Sequence, residues 1–166
     1  MSGWDLWALP MKGDLRPFPV LESRFNEVHG AFSPDGNWLA YTSDETGDEE
    51  VYVQPFTRPV SISGNGRYEG GKKRVSGNGG FQPRWQSDGK ELFYVSRDRK
   101  IVSVSIKIGP PFEVGTATPL FASTAQGDAA YDVTLDGKRF LMTTPSDEQR
   151  PVPVTLVLNW TAALKK

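Results

Sequence analysis

One phrase returns three times along this chain and limits what it can fold into. The first copy reads Phe32-Ser33-Pro34-Asp35-Gly36-Asn37-Trp38-Leu39-Ala40-Tyr41-Thr42-Ser43. The second reads Trp85-Gln86-Ser87-Asp88-Gly89-Lys90-Glu91-Leu92-Phe93-Tyr94-Val95-Ser96. The third is worn: Val133-Thr134-Leu135-Asp136-Gly137-Lys138-Arg139-Phe140-Leu141-Met142-Thr143-Thr144. The Asp-Gly pairs are 53 and 48 residues apart. That is slightly above the ~40–45 residues of a four-stranded propeller blade. Each pair sits between two strand-like runs, which is the signal of a short hairpin. Gly36, Gly89 and Gly137 supply the positive φ that a β-carbon resists. Asp35, Asp88 and Asp136 can hydrogen-bond their own backbone and close the turn. These six residues are assigned to turn structure.

A third run follows each hairpin: Glu50–Phe56, then Lys100–Ile106, then Val154–Trp160. The segment Asp5–Met11 matches this third run as well. A weaker fourth run closes each unit, at Arg16–Phe18, Lys73–Ser76 and Pro119–Phe121. The expected order is therefore two strands of one blade within 1–20, a whole blade over 30–76, another over 81–122, and three strands of a last blade within 130–160. This makes thirteen strands. The fold class is all-β, built of four-stranded antiparallel propeller blades, with about three blades present. Helical periodicity is missing, except that Thr161–Lys166 could form a short helical tail. Residues 57–72 form the longest irregular stretch, between the third and fourth strands of the first whole blade.

Composition narrows the function classes. The net charge of −1 gives no general attraction to nucleic acid or anionic lipid. The absence of cysteine excludes disulfides and thiolate metal sites. Met1–Asp5 has neither a basic nor an apolar leader region, and no apolar run approaches the ~20 residues of a membrane helix. The chain reads as soluble. It is cytoplasmic as it stands, or periplasmic or extracytoplasmic if part of a longer parent.

Ser33-Pro34-Asp35-Gly36 with Leu39-Ala40-Tyr41, followed by Glu50-Val51-Tyr52-Val53, resembles the WD40-like PD40 repeat of TolB-type β-propellers. The second copy departs at Gln86-Ser87 and the third at Thr134-Leu135, while Asp-Gly survives in both. A narrower set is Asp5-Leu6-Trp7, Glu50–Phe56, Pro83-Arg84-Trp85, Glu91–Tyr94 and Leu158–Thr161. It is similar to the C-terminal end of the propeller attached to some bacterial serine/threonine kinases. That resemblance implies a sensor or protein-binding module. No kinase motif is present, so kinase activity is not carried over.

Each candidate site has a structural reading that competes with it. The Asp-Gly aspartates recur once per blade, which argues turn chemistry rather than catalysis. Trp38, Tyr41, Trp85, Tyr94 and Trp160 could stack on sugars or bases, but their strand positions favour packing between blades. His29 is the only histidine, so a Ser-His-Asp triad or a histidine metal site would have to use it. It is placed before the first strand of its blade, in an inter-blade connection with a structural role. The acidic run Asp44–Glu50 lacks the ligand pattern of a calcium loop and reads as a solvated turn. Gly77–Gly80 lacks the Lys-Ser/Thr of a phosphate loop. Lys72-Lys73-Arg74 is too small for a nucleic-acid patch. Asn159-Trp160-Thr161 fits a glycosylation pattern that short sequences match by chance.

The reading is a non-catalytic scaffold that binds a protein, peptide or ligand, with no cofactor and no metal. Its alternative is the accessory propeller of a peptidase or polysaccharide lyase. Thirteen strands leave a ring open, so either a second copy closes it as a homodimer or the remainder lies in a longer parent.

Overall fold

In the computed structural model, the described residues are 3–13, 15–56, 71–109, 111–123 and 131–144. They form twelve strands and no helix. These are β1 (Leu6–Ala8), β2 (Phe18–Leu21), β3 (Glu27–Phe32), β4 (Trp38–Ser43), β5 (Glu50–Pro55) and β6 (Lys73–Arg74). They continue as β7 (Gly80–Trp85), β8 (Glu91–Ser96), β9 (Lys100–Lys107), β10 (Glu113–Ala122), β11 (Tyr131–Val133) and β12 (Phe140–Met142). β3 to β6 and β7 to β10 make two four-stranded antiparallel meanders. Two-stranded sheets, β1–β2 and β11–β12, flank them. The third run expected at Val154–Trp160, and the tail after it, lie outside the described residues.

Fourth strands depart most from expectation. β2 begins at Phe18, where the Arg16–Phe18 run was expected to end. β6 spans two residues and β10 spans ten. Fourth strands are the outermost of a blade and pack on one side only, so the hydrophobic pattern barely marks their ends.

The sheets stack face to face, and strand alternation explains how. On β8, Leu92 and Tyr94 turn toward the β3–β6 sheet and join Ala40, Val51, Val53 and Val75. Phe93 and Val95 turn the other way and join Tyr131, Phe140 and Met142. On β4 and β5, Leu39, Tyr41 and Tyr52 meet Val20 of the β1–β2 sheet. Successive residues thus bury into opposite neighbours, so the middle strands read as near-continuous apolar runs.

The described aromatic residues at repeat positions lie at these seams. Trp38 stacks on Phe112, just before β10, with centroids 4.3 Å apart. The Trp85 indole N–H donates to the Ala31 carbonyl at 3.1 Å, and Phe93 meets Phe140 edge-on at 5.1 Å. Tyr41 stacks on Tyr52, and Tyr94 is buried in the seam between the two meanders. Trp160 lies outside the described residues.

Candidate functional site

The three hairpins show what the repeated phrase does. In each, the glycine N–H donates to the carbonyl three residues back: Gly36 to Ser33, Gly89 to Gln86 and Gly137 to Thr134. The aspartate Oδ1 accepts the N–H two residues on, from Asn37, Lys90 and Lys138. Only the glycines take positive φ, at 72°, 71° and 69°, so these are not two-residue type I′ turns. The Ser33 hydroxyl donates to Asp35 and receives the Trp38 N–H. Thr134 does the same with Asp136 and Arg139. These hydroxyls, aided by the backbone donors, hold the carboxyls of Asp35 and Asp136 below the usual range.

The second hairpin has Gln86 at the hydroxyl position. Its side chain reaches away and donates to the Asp136 carbonyl at 3.2 Å. The Ser87 N–H and hydroxyl both donate to the Leu135 carbonyl. The departure from the repeat at Gln86-Ser87 thus latches one hairpin onto the next.

His29 stands elsewhere than expected. It lies inside β3, not in a connection before it. The β3–β4 register slips between Val28 and Ala31, and His29 takes φ of 56°. The β7–β8 register slips between Phe81 and Arg84, and Gln82 also takes φ of 56°. Both sheets therefore carry a bulge at the same place in their first strand. The left-handed backbone is disfavoured for residues with a β-carbon, and bulges re-aim side chains. Neither residue carries a turn signal, because a bulge depends on pairing with the next strand.

The bulges meet at Thr42. Its Oγ1 accepts the Gln82 N–H at 3.2 Å and lies 3.4 Å from the His29 Nδ1. The Tyr131 hydroxyl, from the following sheet, donates to the Gln82 carbonyl at 2.9 Å. Burial pushes the hydroxyls of Tyr131 and Tyr41 up, so both remain protonated donors at neutral pH.

Asn26 organises the same end of the sheet. Its Oδ1 accepts the Trp4 N–H at 3.1 Å. Its own N–H and side-chain amide donate to the two oxygens of Asp44, at 2.9 and 2.5 Å. These donors, the backbone one first, hold the Asp44 carboxyl below the usual range. The next residue, Glu27, receives the Ser23 hydroxyl at 2.7 Å, while its Oε2 is buried without a hydrogen-bond partner. Burial first, then the charges of Asp5, Asp44 and Glu45, push the Glu27 carboxyl up against the hydrogen bond from Ser23.

A cavity of about 490 Å³ opens at this corner. Val28, His29 and Thr42 form its strand wall, and Asn26, Asp44 and Glu49 bring the polar groups. Trp4 closes the rim. It joins the expected histidine to the acidic β4–β5 turn, a pairing that sequence spacing alone does not show. A second, more open depression of about 680 Å³ lies over β11–β12 and is largely apolar, with Leu135 and Leu141 exposed in it. No group of three or more histidine or carboxylate side chains that could hold a metal occurs among the described residues.

No protein-family model matches the chain, and no curated protein does. Solved structures do. A TolB protein from Agrobacterium tumefaciens matches with a TM-score of 0.50 and 17% identity, over 72% of this chain and 43% of that one. The oligogalacturonate lyase of Vibrio parahaemolyticus matches with a TM-score of 0.53 and 11% identity, over 86% and 35%. A Bacteroides uniformis protein described as a 6-phosphogluconolactonase matches with a TM-score of 0.50 and 14% identity, over 83% and 40%. The class is therefore a partial β-propeller of TolB-like fold. The chain spans less than half the length of these proteins, and at such identities the likeness is one of fold.

Proposed function

We propose that this chain is a non-catalytic propeller scaffold that binds a protein, peptide or small ligand at the corner formed by Asn26, His29 and Asp44. The observation that carries the reading is the way those groups are held. Both Asp44 oxygens accept hydrogen bonds from Asn26, and His29 Nδ1 faces the hydroxyl of Thr42. Groups fixed in this way suit recognition, because little side-chain freedom remains to be lost on binding. The sequence resemblance supports a sensor segment of the kind appended to bacterial serine/threonine kinases. Its ring would be completed by a second copy or by further blades.

The second reading is the accessory propeller of an enzyme, favoured by the fold shared with a lyase and a lactonase. Turnover assays decide between them. The chain is incubated with oligogalacturonates and with 6-phosphogluconolactone, alongside His29→Gln, which repeats the residue found at the second bulge. The scaffold reading expects no turnover above a buffer blank. Turnover that falls in a folded His29→Gln variant overturns it.

A further inference from the structure

We propose that two copies of this chain join edge to edge, with β12 of one pairing with β1 of the other. Each such junction turns two half-sheets into one four-stranded blade, and two junctions close a ring. This goes beyond the binding reading above, which stands whichever way the ring is completed.

Strand roles are the first argument. β4 and β8 are the second strands of their sheets, and each pairs with a third strand, β5 or β9. The flanking half-sheets divide these roles between them. β11 and β12 hold the first and second positions of the repeat, and β1 and β2 hold the third and fourth. Among the described residues, the pairing of second with third strand is what both half-sheets lack. The twelve described strands make three sets of four. Two copies therefore hold six sheets, within the range of about four to eight in closed propellers.

Side-chain register is the second argument. Tyr41 lies opposite Tyr52, and Tyr94 opposite Val102. The same repeat positions place Met142 opposite the partner's Trp7, Leu141 opposite the partner's Ala8, and Phe140 opposite the partner's Leu9. Trp7, Leu9 and Met11 alternate along one face and are 57%, 55% and 82% exposed. Their counterparts on β9, Val102, Val104 and Ile106, are at most 4% exposed and pack on the preceding sheet. Leu141 is 59% exposed, whereas Ala40 and Phe93 at its position are buried against the following sheet.

The cores on either side are incomplete in matching ways. Between the two meanders, the later sheet supplies Leu92 and Tyr94 from its second strand and Val102, Val104 and Ile106 from its third. Between β7–β10 and β11–β12, the later sheet supplies Tyr131, Phe140 and Met142, with no third-strand residue among those described. Leu120 and Phe121 of β10 are only partly buried there. The partner's Trp7 and Leu9 would fill that place. Against β3–β6, the β1–β2 sheet packs Leu6, Ala8 and Val20, with no second-strand residue among those described. Between the meanders Ala40 of β4 has that role, and Leu141 stands at its position. One junction thus completes both cores, and a twofold relation repeats it at the other edge. A bare strand edge is a template for pairing, and exposed apolar side chains beside it mark an interface.

The test is size-exclusion chromatography with light scattering on the whole chain, followed by cross-linking. A mass twice the 18.4 kDa of the chain is expected. Trp7→Asp and Leu141→Asp replace exposed side chains. Each should keep the wild-type circular dichroism while weakening the dimer about thirtyfold or more. The chain has no cysteine, so introduced ones report the register. Ala8→Cys and Leu141→Cys chains are refolded together and oxidised. They are expected to form a mixed disulfide, and neither alone a disulfide with itself. Pro10→Cys lies two residues along, about 7 Å away. With Leu141→Cys it should give about fivefold less product, because that span exceeds disulfide reach.

A dimer with this cross-linking pattern supports the composite blade. If an aspartate variant loses its native spectrum, the cross-linking pattern decides. A monomer overturns the proposal, as when the run Val154–Trp160 of the same chain takes the β12 edge. Larger open polymers overturn the closed pair. A dimer unmoved by both aspartate variants, or cross-linked equally through Pro10→Cys, overturns the junction.

Discussion

Alanine replacement at four glycines tests the turn chemistry within one molecule. Gly36, Gly89 and Gly137 occupy the same turn position at nearly the same φ, but their surroundings differ. A β-carbon on Gly36 would meet nothing within 4 Å. Gly36→Ala therefore isolates the left-handed backbone cost, about 1 kcal/mol of destabilisation. On Gly89 the β-carbon would lie 3.3 Å from the tip of Ile108, a partly exposed side chain that can yield, so the cost is similar. On Gly137 it would lie 2.9 Å from the Gln86 amide nitrogen and displace it from the Asp136 carbonyl. A lost, partly solvated hydrogen bond adds about 0.5–1 kcal/mol. Gly77 is the control: it has no positive φ and open space around its β-carbon position. Gly77→Ala should stabilise by about 0.4–1 kcal/mol, because it restricts the unfolded chain alone. Urea unfolding followed by circular dichroism measures all four. The expected order is Gly77→Ala above wild type, then Gly36→Ala and Gly89→Ala together, then Gly137→Ala lowest. Stabilisation by Gly36→Ala, or indistinguishable midpoints for all four variants, would refute the turn assignment.

Three further outcomes follow from the same structure. Asn26→Ala removes the side-chain amide donor to Asp44 and leaves the backbone one, so the Asp44 carboxyl should move part of the way toward its ordinary value in an NMR pH series. A depressed carboxyl stabilises the fold above its unfolded pKa, and that share is lost as pH falls through the folded one, so Asn26→Ala should also flatten the acid end of the stability profile. Glu27 has the opposite sign. Its raised pKa makes its charge a burden that grows as pH rises past the ordinary glutamate range of about 4.3. Glu27→Gln should therefore be more stable than wild type at neutral pH, with the advantage fading in acid, as thermal melts across pH would record. If a second copy closes the ring, size-exclusion chromatography with light scattering should return a dimer mass, and a clean monomer would end that proposal.

The blade pattern was legible because turn chemistry is local. Asp35-Gly36 needs only its neighbours to turn, and alternation along β8 needs only its own residues to present two apolar faces. The candidate site was legible in parts. His29 and the acidic turn stood out as residue types, but their positions relative to one another did not. His29 was expected in an inter-blade connection before the first strand, whereas it lies within β3. The bulge that breaks the alternation also brings the side chain to the cavity wall.

By itself, then, the sequence determined the all-β class, the hairpin positions and the glycines that turn them, since each follows from short-range backbone sterics. Tertiary structure alone decided the slipped register at His29 and Gln82, the latch from Gln86 to the next hairpin, and the junction of Trp4, Asn26 and Asp44. The latch and the junction rest on contacts between segments 18 to 50 residues apart, and the two bulges on pairing with the next strand. Their partners are chosen by how whole sheets stack, and no window along the chain holds both sides of the choice.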